Sequence, residues 1–166
     1  KEHALNISYC AKCDGSLYNG KDVMLIGNNK ESENDAIYLS NIVNSLIYVN
    51  YSDDNVTFDK DNIKVINKKI SNLNVNDEII KTVTIDDKEY AIDGLFIENG
   101  YTPNIDFIKS LNIKLDNNYI VVDENMKTNI DGIYASGDII KKKVYQIVTA
   151  ASDGAIAALS IIKDLK

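Results

Sequence analysis

The sequence predicts an α/β fold built on parallel strands, and three observations carry that expectation. The apolar run Val23 to Ile26 enters Gly27 as a buried strand. Ala36, Ile37, Leu39, Ile42 and Val43 then recur at helical spacing. Leu46 to Val49 reads as a second buried strand. Strand, helix and strand in that order form a β-α-β unit, whose crossover sets the two strands parallel.

The remaining elements follow from pattern and punctuation. Ile63 to Ile66, Thr82 to Ile85 and Glu89 to Ile92 read as short strands, the last two joined by a hairpin-like Asp86-Asp87-Lys88 connection. Leu95 to Ile97 completes the first unit as a buried strand. A second unit begins near Gly100, where Thr102 and Pro103 break the chain. There the pattern predicts a short helix over Asn104 to Leu111, a strand over Tyr119 to Val122, and a short strand in GIYASGD, Gly132 to Asp138. An Ala- and Ile-rich helix over Gln146 to Leu165 ends the chain.

Composition narrows the function classes. The chain has 166 residues, a formal charge of −7 and 45% apolar residues. All 18 basic residues are lysines, so planar bidentate recognition of phosphate by arginine is absent. The acidic balance excludes a general nucleic-acid binder. No apolar run approaches the ~18 residues of a membrane helix. The start, KEHALNISYC, carries no apolar signal-peptide core. A cytoplasmic protein without a membrane partner is therefore expected, and the missing initiator methionine fits an internal piece of a longer one.

The two cysteines, Cys10 and Cys13, form a C-x-x-C pair in YCAKCDG. Without a signal peptide, that spacing points to redox or metal chemistry ahead of a structural staple. A closed zinc site needs two more ligands, and the chain offers His3 and no second cysteine pair. No metal is expected. The redox reading is favoured, with the neighbouring Asp14 able to deliver or accept a proton as thiolates form and leave.

Longer motifs make the reading specific. CAKCDG, then G-K-x-V-x-x-x-G and a helix with A-x-Y-L, resembles the thioredoxin reductase family of flavoproteins. TNIDGIYASGDI, Thr128 to Ile139, is similar to that family's T-x-x-x-G-I-[FY]-A-x-G-D flavin motif. YQIVTAASDGAIAAL, Tyr145 to Leu159, is similar to its R-Q-x-x-T-A-x-x-x-G-x-x-A-A terminal helix. The resemblance implies a Rossmann-like three-layer nucleotide-binding-type domain followed by a C-terminal portion of a FAD-binding domain. It divides the chain into a crossover segment with the redox pair (1–20), a degenerate NAD(P)-binding-like domain (21–99) and the flavin-domain portion (100–166). The family's opening FAD segment, with its G-x-G-x-x-G, is not in this chain.

The resemblance also implies roles. Cys13 would face the flavin, Cys10 would attack a thioredoxin-like protein disulfide, and Asp14 would be their acid-base partner. Gly137 and Asp138 would meet the ribityl chain of FAD, and Gln146 and Ile147 the isoalloxazine. Tyr145 stands where the family has arginine. The full-length protein would be a homodimer.

The nucleotide loop departs from the family's G-x-G-x-x-[GAS]. Gly27 is kept, while Asn28 and Asn29 are read as standing at the two later glycine-like positions. Asparagine tolerates a left-handed backbone, so the turn is expected to survive with side chains projecting into the pyrophosphate space. The basic H-R-R cluster that grips the 2′-phosphate of NADPH is replaced by Asn50, Tyr51 and Ser52, then Asp53 and Asp54. NADPH use is therefore not expected, and the electron donor would be another one, such as ferredoxin. The alternatives are a conventional NAD(P)H-dependent reductase with an altered loop and a non-catalytic binding module that keeps the fold.

Overall fold

The computed structural model describes residues 4–166, so His3 lies outside the described residues. Two compact units divide at Gly100, the second spanning Tyr101–Lys166.

The first unit is built on a five-stranded, all-parallel sheet. In chain order its strands are β1 (Ile7–Ser8), β2 (Asp22–Gly27), β3 (Ser45–Asn50), β4 (Ile63–Ile66) and, after three intervening strands, β8 (Gly94–Glu98). Their spatial order is β1-β8-β2-β3-β4. Successive side chains of a strand point to opposite faces, and each face has its own cover. Val23, Leu25, Leu46, Tyr48 and Phe96 pack with Ala36 and Leu39 of helix α2 (Lys30–Ser40). Met24, Ile26, Val49 and Leu95 pack instead with Ile80, Val83 and Ile85. Those last three belong to an antiparallel sheet of β5 (Asn72–Asn76), β6 (Ile79–Ile85) and β7 (Lys88–Ala91). Helix, parallel sheet and antiparallel sheet make the three layers.

Local chemistry explains the joints. Asp86 and Asp87 take φ of 52° and 60°, so the β6–β7 hairpin closes on two left-handed residues. Asp77 and Glu78 do the same between β5 and β6. Strand β5, NLNVN, escaped the sequence pattern because asparagine is depleted in strands and Leu73 and Val75 alone are apolar. Its pairing with β6, which begins three residues before the expected Thr82, overrides that preference. Gly94 is required by packing: a Cβ there would overlap the ring of Tyr18, which meets Phe96 edge-on at 5.2 Å.

The second unit has little regular structure before its last helix. The expected helix over Asn104 to Leu111 forms as a 3₁₀ turn, Asp106–Leu111, stopped by left-handed Asn112. The strand expected over Tyr119 to Val122 is two residues, Tyr119–Ile120 (β10), paired with β9 (Leu115–Asp116). The strand expected in GIYASGD is reduced to a single bridge between Lys127 and Tyr134. Gly132 and Gly137, at φ of 75° and 81°, bend the chain on either side and leave no length for a ladder. Ile105, Ile108, Ile113, Ile120 and Ile140 form the core. Helix α3 (Ile147–Asp164) closes the unit. No described helix is long and apolar enough to cross a membrane.

Candidate active site

The C-terminal edge of the parallel sheet gathers the candidate chemistry of the first unit. Gly27 ends β2, in register with Asn50 at the end of β3 and Glu98 at the end of β8. Strand β1 lies beside β8 and runs directly into the cysteine pair. In open parallel sheets this edge is where ligands sit, because loops and helix N-termini converge there.

Cys10 and Cys13 are joined as a disulfide. Cys10 caps the single-turn helix α1 (Ala11–Asp14), its Sγ 3.2 Å from the Cys13 N–H. Two strand ends hold this ring from below. Buried Ser8 of β1 donates its hydroxyl to Asp14 Oδ2 at 2.7 Å and accepts the Cys10 N–H at 3.1 Å. Glu98 of β8 accepts the Ala11 N–H at 2.7 Å. Lys12, between the cysteines, reaches Asp35 of α2 at 2.7 Å. Burial pushes the Glu98 carboxyl up to about 7, against the Ala11 hydrogen bond and the Lys12 charge, and with repulsion from Asp35 and Glu31. Thiol–disulfide exchange is the chemistry such a ring supports, with a carboxylate, Asp14, one residue from Cys13.

None of Ser8, Lys12, Asp35 and Glu98 was singled out in the sequence. Glu98 carried a visible signal: an acid closing the buried strand Leu95-Phe96-Ile97. The others are polar residues whose partners only the fold brings near.

The nucleotide-type loop is built differently from the expectation. Asn29 has φ of −153° and ψ of 172°, so its backbone is extended, and the left-handed tolerance of asparagine is not used. Its side chain instead caps α2. Asn29 Oδ1 accepts the Ser32 N–H at 2.9 Å, and the Asn29 N–H donates to Ser32 Oγ at 3.2 Å. Asn29 Nδ2 donates to Asn28 Oδ1 at 2.9 Å, so both asparagine side chains are engaged within the turn. Counting from Gly27 also corrects the register: the third small position of G-x-G-x-x-[GAS] falls on Ser32, not on Asn29. Ser32 is buried beneath the turn, its hydroxyl 2.9 Å from the Tyr48 hydroxyl. A Cβ on Gly27 would overlap Ser32 and lie 2.5 Å from the Tyr48 oxygen. Lys30, the cation of this turn, pairs with Glu33 at 2.5 Å, and Glu31 adds a second acid to the first turn.

At the end of β3, Asn50 is buried and fully used. Its Nδ2 donates to the Asp54 carbonyl at 2.9 Å and to Asn67 Oδ1 at 3.0 Å, and its Oδ1 accepts from the Ser52 N–H and hydroxyl. The Tyr51 hydroxyl accepts the Ile70 N–H at 3.1 Å. Asp53 and Asp54 are exposed.

The second unit carries the other expected residues. Gly137, at φ of 81°, opens a 3₁₀ turn with Asp138, and the nearest atom to a Cβ there would be the Ala150 methyl of α3 at 3.8 Å. The Asp138 carboxylate points outward, 3.1 Å from the Lys142 ammonium, which also holds Asp153 of α3 at 2.8 Å. Gln146 is the N-cap of α3, with Thr149 accepting its N–H at 3.2 Å. Ile147 opens the helix at 91% exposure. The ring of Tyr145 lies 5.4 Å from that of Tyr119.

The family model described as pyridine nucleotide-disulphide oxidoreductase matches residues 55–154. A Clostridium pasteurianum relative described as a 34.2 kDa protein in the rubredoxin operon is 38% identical, covering 96% of this chain and 56% of its own length. Thioredoxin reductase from Streptococcus pyogenes superposes with a TM-score of 0.88 at 30% identity, over 96% of this chain and 57% of that one. A ferredoxin-flavin thioredoxin reductase from Clostridium acetobutylicum gives a TM-score of 0.56 at 31% identity, over 96% and 55%. The chain thus spans about half the length of the proteins it matches. With its Cys10–Cys13 disulfide on a three-layer α/β frame, it belongs to the pyridine nucleotide-disulphide oxidoreductase family, among relatives of the thioredoxin reductase type.

Proposed function

We propose that this chain is the cysteine-bearing and latter flavin-domain part of a disulfide reductase of thioredoxin reductase type whose electron donor is not NADPH but a reduced ferredoxin. The observation that carries the choice of donor is the Asn29 cap. In a dinucleotide-binding turn, the first N–H groups of the helix meet the pyrophosphate, and glycine lets the backbone come close. Here the Ser32 N–H is already taken by Asn29 Oδ1. The charges oppose a dinucleotide as well, with Glu31 and Glu33 on the first turn and Asp53 and Asp54 where a 2′-phosphate would be gripped. The residues present do not fit a dinucleotide phosphate.

A flavin is a better match to the second unit. Gly137 allows the positive φ of its turn, Asp138 offers an outward carboxylate, and α3 presents an N-terminus whose partial positive charge favours an anion. Phe107, Ile147, Val148 and Leu159, each at least 68% exposed, form the kind of apolar surface that the rest of a flavin domain would cover. When bound, FAD would supply a two-electron reductant for a disulfide. Cys13 and Cys10 would receive the electrons and pass them to a thioredoxin-like protein disulfide by exchange. Asp14, held by Ser8, would move the protons at the sulfurs, and Lys142 would hold Asp138 in place.

Stopped-flow mixing of the full-length protein with excess NADPH, and separately with reduced ferredoxin, tests the reading. Flavin bleaching is expected with ferredoxin only. Rapid bleaching by NADPH overturns the choice of donor and restores a conventional reductase, which the retained β-α-β frame and Gly27 favour. Activity unchanged by Cys10→Ser would remove the redox role itself.

A further inference from the structure

We propose that Glu98 is a positioning residue for the redox pair: from the end of β8 its carboxylate holds the Ala11 N–H between the two cysteines and, by its charge, controls the thiolate that reduction leaves on the ring. This rests on Cys10–Cys13 being the redox pair, but it is independent of the electron donor. Asp14 is the acid that the C-A-x-C-D-G motif points to, and it stands on the other side of the ring with Ser8. Glu98 comes from a different strand and touches a different residue.

Three features support the assignment. The hydrogen bond is short, 2.7 Å, and ends on the backbone of the C-x-x-C ring itself, so the ring cannot shift without breaking it. The carboxylate sits at a sheet edge among three other charges: Lys12 of α1 attracts it, and Asp35 and Glu31 of α2 repel it. Lys12 is itself committed to Asp35, so its charge is shared. With burial raising the Glu98 carboxyl to about 7, it exchanges its proton in the range where a negative charge on the ring also forms, so each bears on the other.

Reduction breaks the S–S bond with two electrons and takes up one proton for each sulfur that does not remain a thiolate. A dithiol supplies both electrons and becomes a disulfide. If one sulfur stays a thiolate, Glu98 and that sulfur titrate as a coupled pair, so two macroscopic steps appear in place of one. A coupling of about one pKa unit corresponds to roughly tenfold in thiolate ionisation. As the reduced pair becomes charged, Glu98 should hold its proton to higher pH.

The experiment uses the chain reduced with dithiothreitol, desalted and alkylated with iodoacetamide from pH 5 to 9. No flavin is needed. The parent is expected to show a broad, two-step rate profile. Glu98→Gln keeps an oxygen for the Ala11 N–H and removes the charge, so its profile should narrow to one step, with several-fold faster alkylation near pH 8. Coincident profiles overturn the proposal. A second measurement needs no variant: the carboxyl carbon of Glu98, followed by NMR in the oxidised and the reduced chain, should titrate at higher pH after reduction. An unmoved titration overturns the proposal equally. Either negative result leaves the choice of donor standing, because that is decided by flavin bleaching in the full-length protein.

Discussion

Replacing Asn29 separates the two roles that the position could play. If Asn29 is a helix cap, Asn29→Ala removes the acceptor of the Ser32 N–H and leaves that group to find another. Ser32 is almost fully buried, so water reaches it poorly. The cost should lie at the upper part of the usual range for cap loss, about 1–2 kcal/mol. Asn29→Gly should cost only a few tenths of a kcal/mol, because glycine opens the turn to solvent. For a unit of this size each kcal/mol moves the midpoint by about 4–8 °C. Thermal unfolding followed by circular dichroism would therefore rank the parent and the glycine variant close together and the alanine variant well below. An alanine variant as stable as the glycine variant would refute the cap. The same pair of proteins bears on ligand binding. Asn29→Gly frees the Ser32 N–H, yet titration with NADPH should still show no binding, since the four acids around the site remain.

Other expectations rest on separate contacts. Asp53→Lys with Asp54→Lys, added to Asn29→Gly, should bring measurable NADPH affinity where Asn29→Gly alone shows none, read by isothermal titration at low salt. Tyr48→Phe removes one of the buried Ser32 hydroxyl's hydrogen bonds while those to the Asn29 backbone remain, and should cost about 0.5–1.5 kcal/mol in denaturant unfolding. Gly94→Ala drives a methyl into the Tyr18 ring and should destabilise the first unit by about 1–3 kcal/mol. Glu98 adds a pH dependence. Its folded-state value, about 7, lies above the ordinary 4.5, so the folded chain binds the proton more tightly. That contribution is present below about pH 4.5 and is lost as pH rises through 7. Glu98→Gln should flatten the stability profile across that window.

Much of the fold was legible where strands are apolar and turns are marked. Val23–Ile26, Leu46–Val49 and Ile63–Ile66 all lie within observed strands, and the Asp86-Asp87 turn joins the expected pair. The misses share a cause. Strand β5 is held by its neighbour rather than by its own asparagine-rich residues, and GIYASGD reads as a strand only if its two glycines are ignored. The cysteine ring was legible because both of its cysteines lie within one short C-x-x-C motif. Its supports were not: Ser8 and Glu98 lie on β1 and β8, strands far apart in the chain that only the parallel sheet makes neighbours. Ser32 was within reach, since counting the motif from Gly27 arrives at it.

The loop's chemistry also bears on the proposed loss of the dinucleotide. A turn that expects an anion leaves helix N–H groups unpaired when the ligand is away, and such groups are costly if buried. This chain pairs one of them, the Ser32 N–H, from within. Asn29 supplies the oxygen that a phosphate otherwise would, and Glu31 and Glu33 supply negative charge to the helix N-terminus. Each change that stabilises the empty turn also opposes a phosphate at that spot. The loss of glycine at Asn29, the acids on the first turn and the aspartates after β3 are thus not independent defects. They are mutually consistent with a turn capped by its own asparagine, beside a cysteine ring held by Ser8 and Glu98.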